Sequence, residues 1–187
     1  MTVTECCWIC LSPGTPESPL CRACKCPRES HSECIATWQL HSAGSDEERK
    51  CRFCDSRLPD WKASLIPPTA TRTENACMMI SCGGKCHKVT VRSGPEGRAA
   101  FIAEVRKNLG LSPDREFEVV FHCAEPVSGH SLQLKGLDAF DAAVHCASFR
   151  DETTPTMRRV WRYVSSIVGQ IVYRLRRLWS QANARTM

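Results

Sequence analysis

Eight cysteine and histidine residues between positions 7 and 54 constrain this chain more than any other feature. In order they read Cys7-x2-Cys10, 13 residues, Cys24-x-Cys26, four residues, His31-x2-Cys34, 16 residues, then Cys51-x2-Cys54. Thiolate and imidazole are soft or borderline donors, and four of them close a tetrahedral zinc site without water. Two ligands two residues apart bite one ion from a tight turn. One pair cannot close a site, so the pairs must combine. Head-to-tail pairing would give Cys7, Cys10, Cys24 and Cys26 to one ion. Interleaved pairing would give Cys7, Cys10, His31 and Cys34 to one ion and Cys24, Cys26, Cys51 and Cys54 to the other. Cys21-x2-Cys24 is a second way to build the middle pair.

Composition favours metal over disulfides. Nine of the 14 cysteines fall in residues 6–54. The start, MTVTECCWIC, lacks the basic and long apolar regions of a secretory leader, so an intracellular, cytoplasmic chain with reduced thiols is expected. Hydrophobic content of 42% and charged content of 24% are ordinary for a globular chain and exclude wholesale disorder. No apolar stretch reaches the ~18 residues of a membrane span.

The strings CWIC, CKC, HSEC with Trp38 four positions after its cysteine, and CRFC resemble the RING-CH family, the MARCH-type variant RING (RINGv). The resemblance covers residues 7–54. It implies a small α+β cross-brace with interleaved ligands and two zinc ions. It also implies a ubiquitin ligase that docks a ubiquitin-conjugating enzyme (E2). Such a ligase positions the E2-bound ubiquitin thioester for a lysine of a substrate protein and forms no covalent intermediate of its own. By the same resemblance, Ile9 in the first zinc loop and Trp38 after the sixth ligand are E2 contacts. Glu33 to Gln39 suits a short helix carrying Cys34 and Trp38 at i, i+4. The PHD finger shares the ligand order but carries an aromatic two positions before its last cysteine pair, where this chain has Arg49. Two departures from the RING-CH pattern stand out. The Cys26–His31 gap is short, and Asp55 follows the last ligand where active RINGs often carry a basic linchpin. A non-catalytic zinc-dependent interaction module or scaffold is the reading from a second functional class. CRFC together with LPDW also resembles a group of RING-CH proteins from green algae.

Beyond this head (5–62) the chain divides by composition. Residues 63–75, with Pro67-Pro68, read as a linker. Residues 76–150 read as a small α+β domain. Runs at Met78–Cys82 and Cys86–Arg92 flank Gly83-Gly84 as a hairpin. A helix opens at Pro95 and ends at Gly110. Strands follow at Phe117–Cys123 and Ser131–Lys135, then a helix capped by Asp138. The order ββαββα resembles a ubiquitin-like or PB1-like β-grasp. His122-Cys123 and His145-Cys146 are adjacent pairs without a third orienting group, a poor basis for nucleophilic catalysis.

The last segment is basic. From Met157 onward there are seven arginines and no acid, leaving the first 156 residues at a net −2. Apolar positions from Val160 to Trp179 fall within a helical arc of roughly 140°, with the six arginines from 158 to 177 outside it. A cationic amphipathic helix over 156–181 is expected. Residues 158–179 would meet a membrane surface, a partner groove or the chain itself. Its arginines are not interleaved with aromatics, so no specific nucleic acid is expected.

Overall fold

A computed structural model describes residues 6–68, 71–73, 76–82, 85–150 and 170–172. The first four ligand positions lie on a knuckle and a hairpin. Strands β1 (Leu20–Cys21) and β2 (Ser30–His31) pair antiparallel, with Leu20 opposite His31. The hairpin therefore holds His31 at its base and carries Cys24 and Cys26 in its loop. Helix α1 (Ser32–His41) follows directly. Its buried residues, Ile35, Ala36, Gln39 and Leu40, recur at helical spacing. A 3-10 turn at Asp46–Glu48 leads to the last cysteine pair.

The unit that follows is a mixed sheet crossed by two helices. Strands β4 (Ala76–Cys82) and β5 (Lys85–Val91) form the expected hairpin; its Gly83-Gly84 turn lies outside the described residues. Ala76, Met78 and Ile80 point inward, as period 2 demands. Helix α2 (Pro95–Leu109) starts with Pro at its first turn, where no N–H is required. It ends at Gly110, whose φ of 60° is the left-handed conformation that glycine adopts freely. Strands β6 (Val120–Ala124) and β7 (Ser131–Lys135) pair antiparallel. Helix α3 spans Phe140–Ala147. Asp138 does not cap it: a 3-10 turn over Leu137–Ala139 intervenes, and the Asp138 carboxylate accepts from Arg98 at 2.9 Å.

The fifth strand comes from the tail. Strand β9 (Gln170–Val172) lies between β4, to which it is parallel, and β6, to which it is antiparallel, giving the order β5-β4-β9-β6-β7. This corrects the expected helix at these three residues. Most of that helix lies outside the described residues. The physical reason is tertiary: β4 and β6 each present an unpaired edge, and a β-branched run such as Ile171-Val172 fills it well.

The segment read as a linker is built into the fold. Leu65 is buried, and β3 (Thr71–Arg72) pairs with β8 (Phe149–Arg150). Leu65 and Trp61 join a core that runs from Ala36 and Leu40 of α1 to Met78, Phe101, Phe121 and Phe140. Burying one such aliphatic side chain contributes about 2 kcal/mol. Polar contacts cross the same seam. The Thr37 hydroxyl donates to the buried Glu125 carboxylate at 2.6 Å, and the Ser128 hydroxyl donates to the other oxygen. Gly44 (φ 85°) lies so close to the Asp138–Ala139 backbone that a Cβ there would sit 2.9 Å from the Ala139 nitrogen.

At the centre of the seam is His145. Its ring packs edge-on against Trp61 (5.0 Å) and Phe149 (4.9 Å), and its Nε2 donates to the Leu65 carbonyl at 3.3 Å. Burial pushes its pKa down to about 4, with Lys62 and Arg72 lowering it further against the carbonyl's opposite pull.

Two outcomes follow. Between pH about 6.5 and about 4 the unfolded chain protonates this residue and the folded chain does not. Stability from His145 is thus complete above pH about 6.5 and is lost as pH falls toward 4. In urea titrations, the stability gap between the wild type and His145→Gln should narrow over that range. A gap independent of pH would contradict the buried neutral ring. Separately, Ile171→Pro removes the N–H of the residue in register with both Ile80 and Phe121. A fall in melting temperature of about 5–10 °C is expected, and unchanged melting would remove β9 from the sheet.

Candidate metal centre

Two knuckles of nearly identical design hold the cysteine pairs at either end of the head. In the first, the Leu11 N–H donates to the Cys7 carbonyl at 2.8 Å and the Cys7 N–H to the Ser12 carbonyl at 2.9 Å. In the second, Asp55 and Cys51 make the same bonds, Asp55 to the Cys51 carbonyl and Cys51 to the Ser56 carbonyl, both at 2.9 Å. Leu11 (φ 63°) and Asp55 (φ 53°) are both left-handed. The turn demands that conformation after its second ligand, and Asp adopts it more readily than most residues. Each knuckle is closed by an isolated bridge, Cys6 to Pro13 and Lys50 to Arg57.

The pairs combine in the interleaved order. Cys7, Cys10, His31 and Cys34 form one cluster, and Cys24, Cys26, Cys51 and Cys54 the other, each with all ligand atoms within 4.8 Å of one another. The hairpin base brings His31 to the first knuckle, helped by the Trp8 N–H donating to the Glu29 carbonyl at 3.1 Å. Cys34 joins from the first turn of α1. The hairpin loop carries Cys24 and Cys26 to the second knuckle instead. Cys21 is outside both clusters, its thiol donating to the Ser30 carbonyl at 3.3 Å, so Cys24-x-Cys26 is the middle pair.

The donor sets fit zinc. Ideal tetrahedral bonds place two sulfurs about 3.8 Å apart and a sulfur and a nitrogen about 3.6 Å apart. Cys26 and Cys51 sulfurs are 3.8 Å apart; His31 Nδ1 is 3.3 Å from the Cys10 sulfur and 3.7 Å from that of Cys34. His31 directs Nδ1 at the cluster and Nε2 at the Pro13 carbonyl, 3.3 Å away, the outer hydrogen bond that orients a ligating imidazole. Electrostatics agree. The Ser12 backbone N–H holds Cys10 down to about 6, and the Ser56 hydroxyl does the same for Cys54. Their cluster neighbours move the other way: Cys26 is pushed up to about 12, chiefly by its contact with Cys54, and Cys34 to about 12, chiefly by burial. Thiols this crowded cannot all ionise unaided, and a dication supplies the compensating charge. Zinc's contribution here is structural: four protein ligands per ion leave no open position for chemistry.

Between the second cluster and α1 lies a groove. Trp38 lines it, together with Trp8, Arg28, Ile35, Phe53 and Leu58, and it opens onto Cys24, Cys26 and Cys51 of that cluster. Trp38 is half-buried, and Phe53 is 62% exposed. Ile9 is half-buried on the first knuckle and is not among the residues lining the groove. Trp8 and Phe53 were not singled out from the sequence. Their signal was available: each is a large apolar residue at an x position of a Cys-x2-Cys knuckle, a place with no core to enter. Elsewhere, Cys123 and Cys146 are both buried in the core, and His145 is committed to the Leu65 carbonyl, so neither His-Cys pair forms a reactive site.

Metal analysis should give two zinc ions per chain. Cys34→Ser should leave one or none and lower the melting temperature by about 10 °C or more, because structural zinc binding is folding free energy. Wild-type stoichiometry of one would refute the paired clusters.

Residues 7–54 match the family model described as the RING-variant domain. Searches of curated proteins and of solved structures returned no match. The match and the two interleaved clusters agree residue for residue at their boundaries, Cys7 and Cys54. This chain therefore carries a zinc-binding RING-variant domain of the RING-CH type, built around two zinc ions, at residues 7–54.

Proposed function

We propose that the chain is a RING-type E3 ubiquitin-protein ligase. The observation that carries the reading is the groove beside α1, in which Trp38 stands half-buried among Trp8, Ile35, Phe53 and Leu58 on a RING-variant scaffold. Proteins with this domain generally engage E2 enzymes. A zinc module has little apolar residue to spare for its own core, so an aromatic left at its surface suits a partner. In this reading Trp38, Trp8 and Phe53 receive the E2, with Ile9 as a further contact from the first knuckle. The ligase contributes no nucleophile. It accelerates transfer by holding the E2-bound thioester in a reactive orientation toward a substrate lysine, a gain in proximity and orientation.

The neighbouring unit would serve as the substrate or partner arm. Its sheet order, with the first and last strands parallel at the centre and a helix crossing between the hairpins, supports a ubiquitin-like β-grasp. Its seam with α1 would hold whatever it binds at a set distance from the E2.

One observation favours a second reading, a non-catalytic docking module. Asp55 occupies the linchpin position, and its left-handed backbone is part of the knuckle. A carboxylate there cannot make the contacts of a basic side chain.

Autoubiquitination with a panel of E2 enzymes separates the two. Activity with at least one E2 is expected, and Trp38→Ala should lower it by about tenfold or more. Binding without transfer by any E2 would support the docking module. Activity indifferent to Trp38→Ala would overturn the groove as the E2 site.

A further inference from the structure

The groove carries an unusual rim. The Arg28 guanidinium lies between two rings, 5.9 Å from the centroid of Trp8 and 5.7 Å from that of Phe53. Arg52 lies 5.4 Å from the centroid of the same Phe53 ring. Both arginines line the groove, and no acidic residue does. Among the described residues neither guanidinium has a carboxylate within ion-pair distance; nearby Glu29 faces Arg22 at 4.0 Å. Stacking on aromatic faces orders a guanidinium while leaving its in-plane N–H fork free. Two ordered forks, with no carboxylate beside them, thus border Ile35, Trp38 and Leu58 and also Cys24, Cys26 and Cys51 of the second cluster.

We propose that this groove selects E2 enzymes whose docking loop sets a carboxylate beside the apolar side chain it inserts. The proposal rests on the E2-docking reading and adds the chemistry of the partner. A bidentate contact between Arg and carboxylate is among the stronger hydrogen-bonded pairs, and its planar geometry fixes orientation. A lysine at the same place would meet two cations at short range. A competing role for the arginines exists in the second zinc site, whose four thiolates leave it with a net negative charge. The geometry disfavours that role: both guanidiniums lie over ring faces, and neither donates to a cysteine sulfur among the described residues.

The test uses the full chain loaded with zinc and an E2 panel sorted by loop charge, with binding measured at about 50 and about 300 mM NaCl. Acid-flanked E2 enzymes should bind about tenfold tighter than lysine-flanked ones and lose that advantage at high salt. Arg28→Gln with Arg52→Gln should weaken the acid-flanked group about tenfold and tighten the lysine-flanked group, which no longer meets two cations. Replacing the loop carboxylate by its amide on the E2 should produce the same loss with the zinc head untouched, whether or not the arginine variant folds. Trp38→Ala should weaken every E2. Equal affinities across the panel, or an arginine variant that sheds zinc while the E2-side amide has no effect, would overturn the proposal. In that case Trp38→Ala, still weakening all E2 enzymes, would leave the ligase reading standing. A panel in which nothing binds would overturn both.

Discussion

The crossing of ligand pairs between two metal sites is the constraint on which the rest of this molecule depends. Because His31 and Cys34 go to the first knuckle while Cys24 and Cys26 go to the second, the hairpin between them must span both sites. The helix that starts at Ser32 is then anchored by its first turn to one site and flanked by the other. A short helix of this kind has little stability in isolation. Its ten residues are held by metal ligation at one end and by packing on both sides, and its direction is set before any apolar contact is counted.

That direction gives α1 two working faces. Ile35 and Trp38 line the groove, while Ala36 and Leu40 enter the core shared with the sheet unit. Thr37 stands between them and meets Glu125 from the loop after β6. The head and the sheet unit are consequently one packed body at this seam, not beads on a linker. Trp61 shows how economically the seam is built. Its indole N–H donates to the Glu48 carboxylate at 3.1 Å, the same carboxylate accepts from the Gly44 N–H at 2.9 Å, and its ring meets His145. A buried indole N–H left unpaired there would carry the cost of an unsatisfied donor.

Much of the site was legible in the sequence because its physics is local. The Cys-x2-Cys pairs at Cys7–Cys10 and Cys51–Cys54 each build their knuckle from neighbouring residues, with an αL residue directly after the second ligand. The hairpin, α2 and β7 were legible for the same reason: period-2 alternation, Pro at the first helical turn and Gly110 just past the end are signals within one element. Asp138 misled because a good N-cap is also a good salt-bridge partner, and Arg98 lies 40 residues away in sequence. Leu65 and Thr71 looked like linker because a lone apolar pair before Pro67-Pro68 and a two-residue strand after it are too short to show a period.

What the amino-acid sequence determined by itself is the ligand inventory: eight donors of the right hardness, spaced to bite in pairs, and hence a zinc-built head. Which pairs share an ion was open on spacing alone, because spacing constrains only ligands near in sequence. The β1–β2 register decided it. The tertiary structure alone also decided that Gln170–Val172 is a strand. A run of apolar residues satisfies a helix or a sheet edge equally well, and the choice falls to the neighbours. Here two unpaired edges, β4 and β6, stood one strand apart, and each needed hydrogen-bond partners that only a third strand could supply.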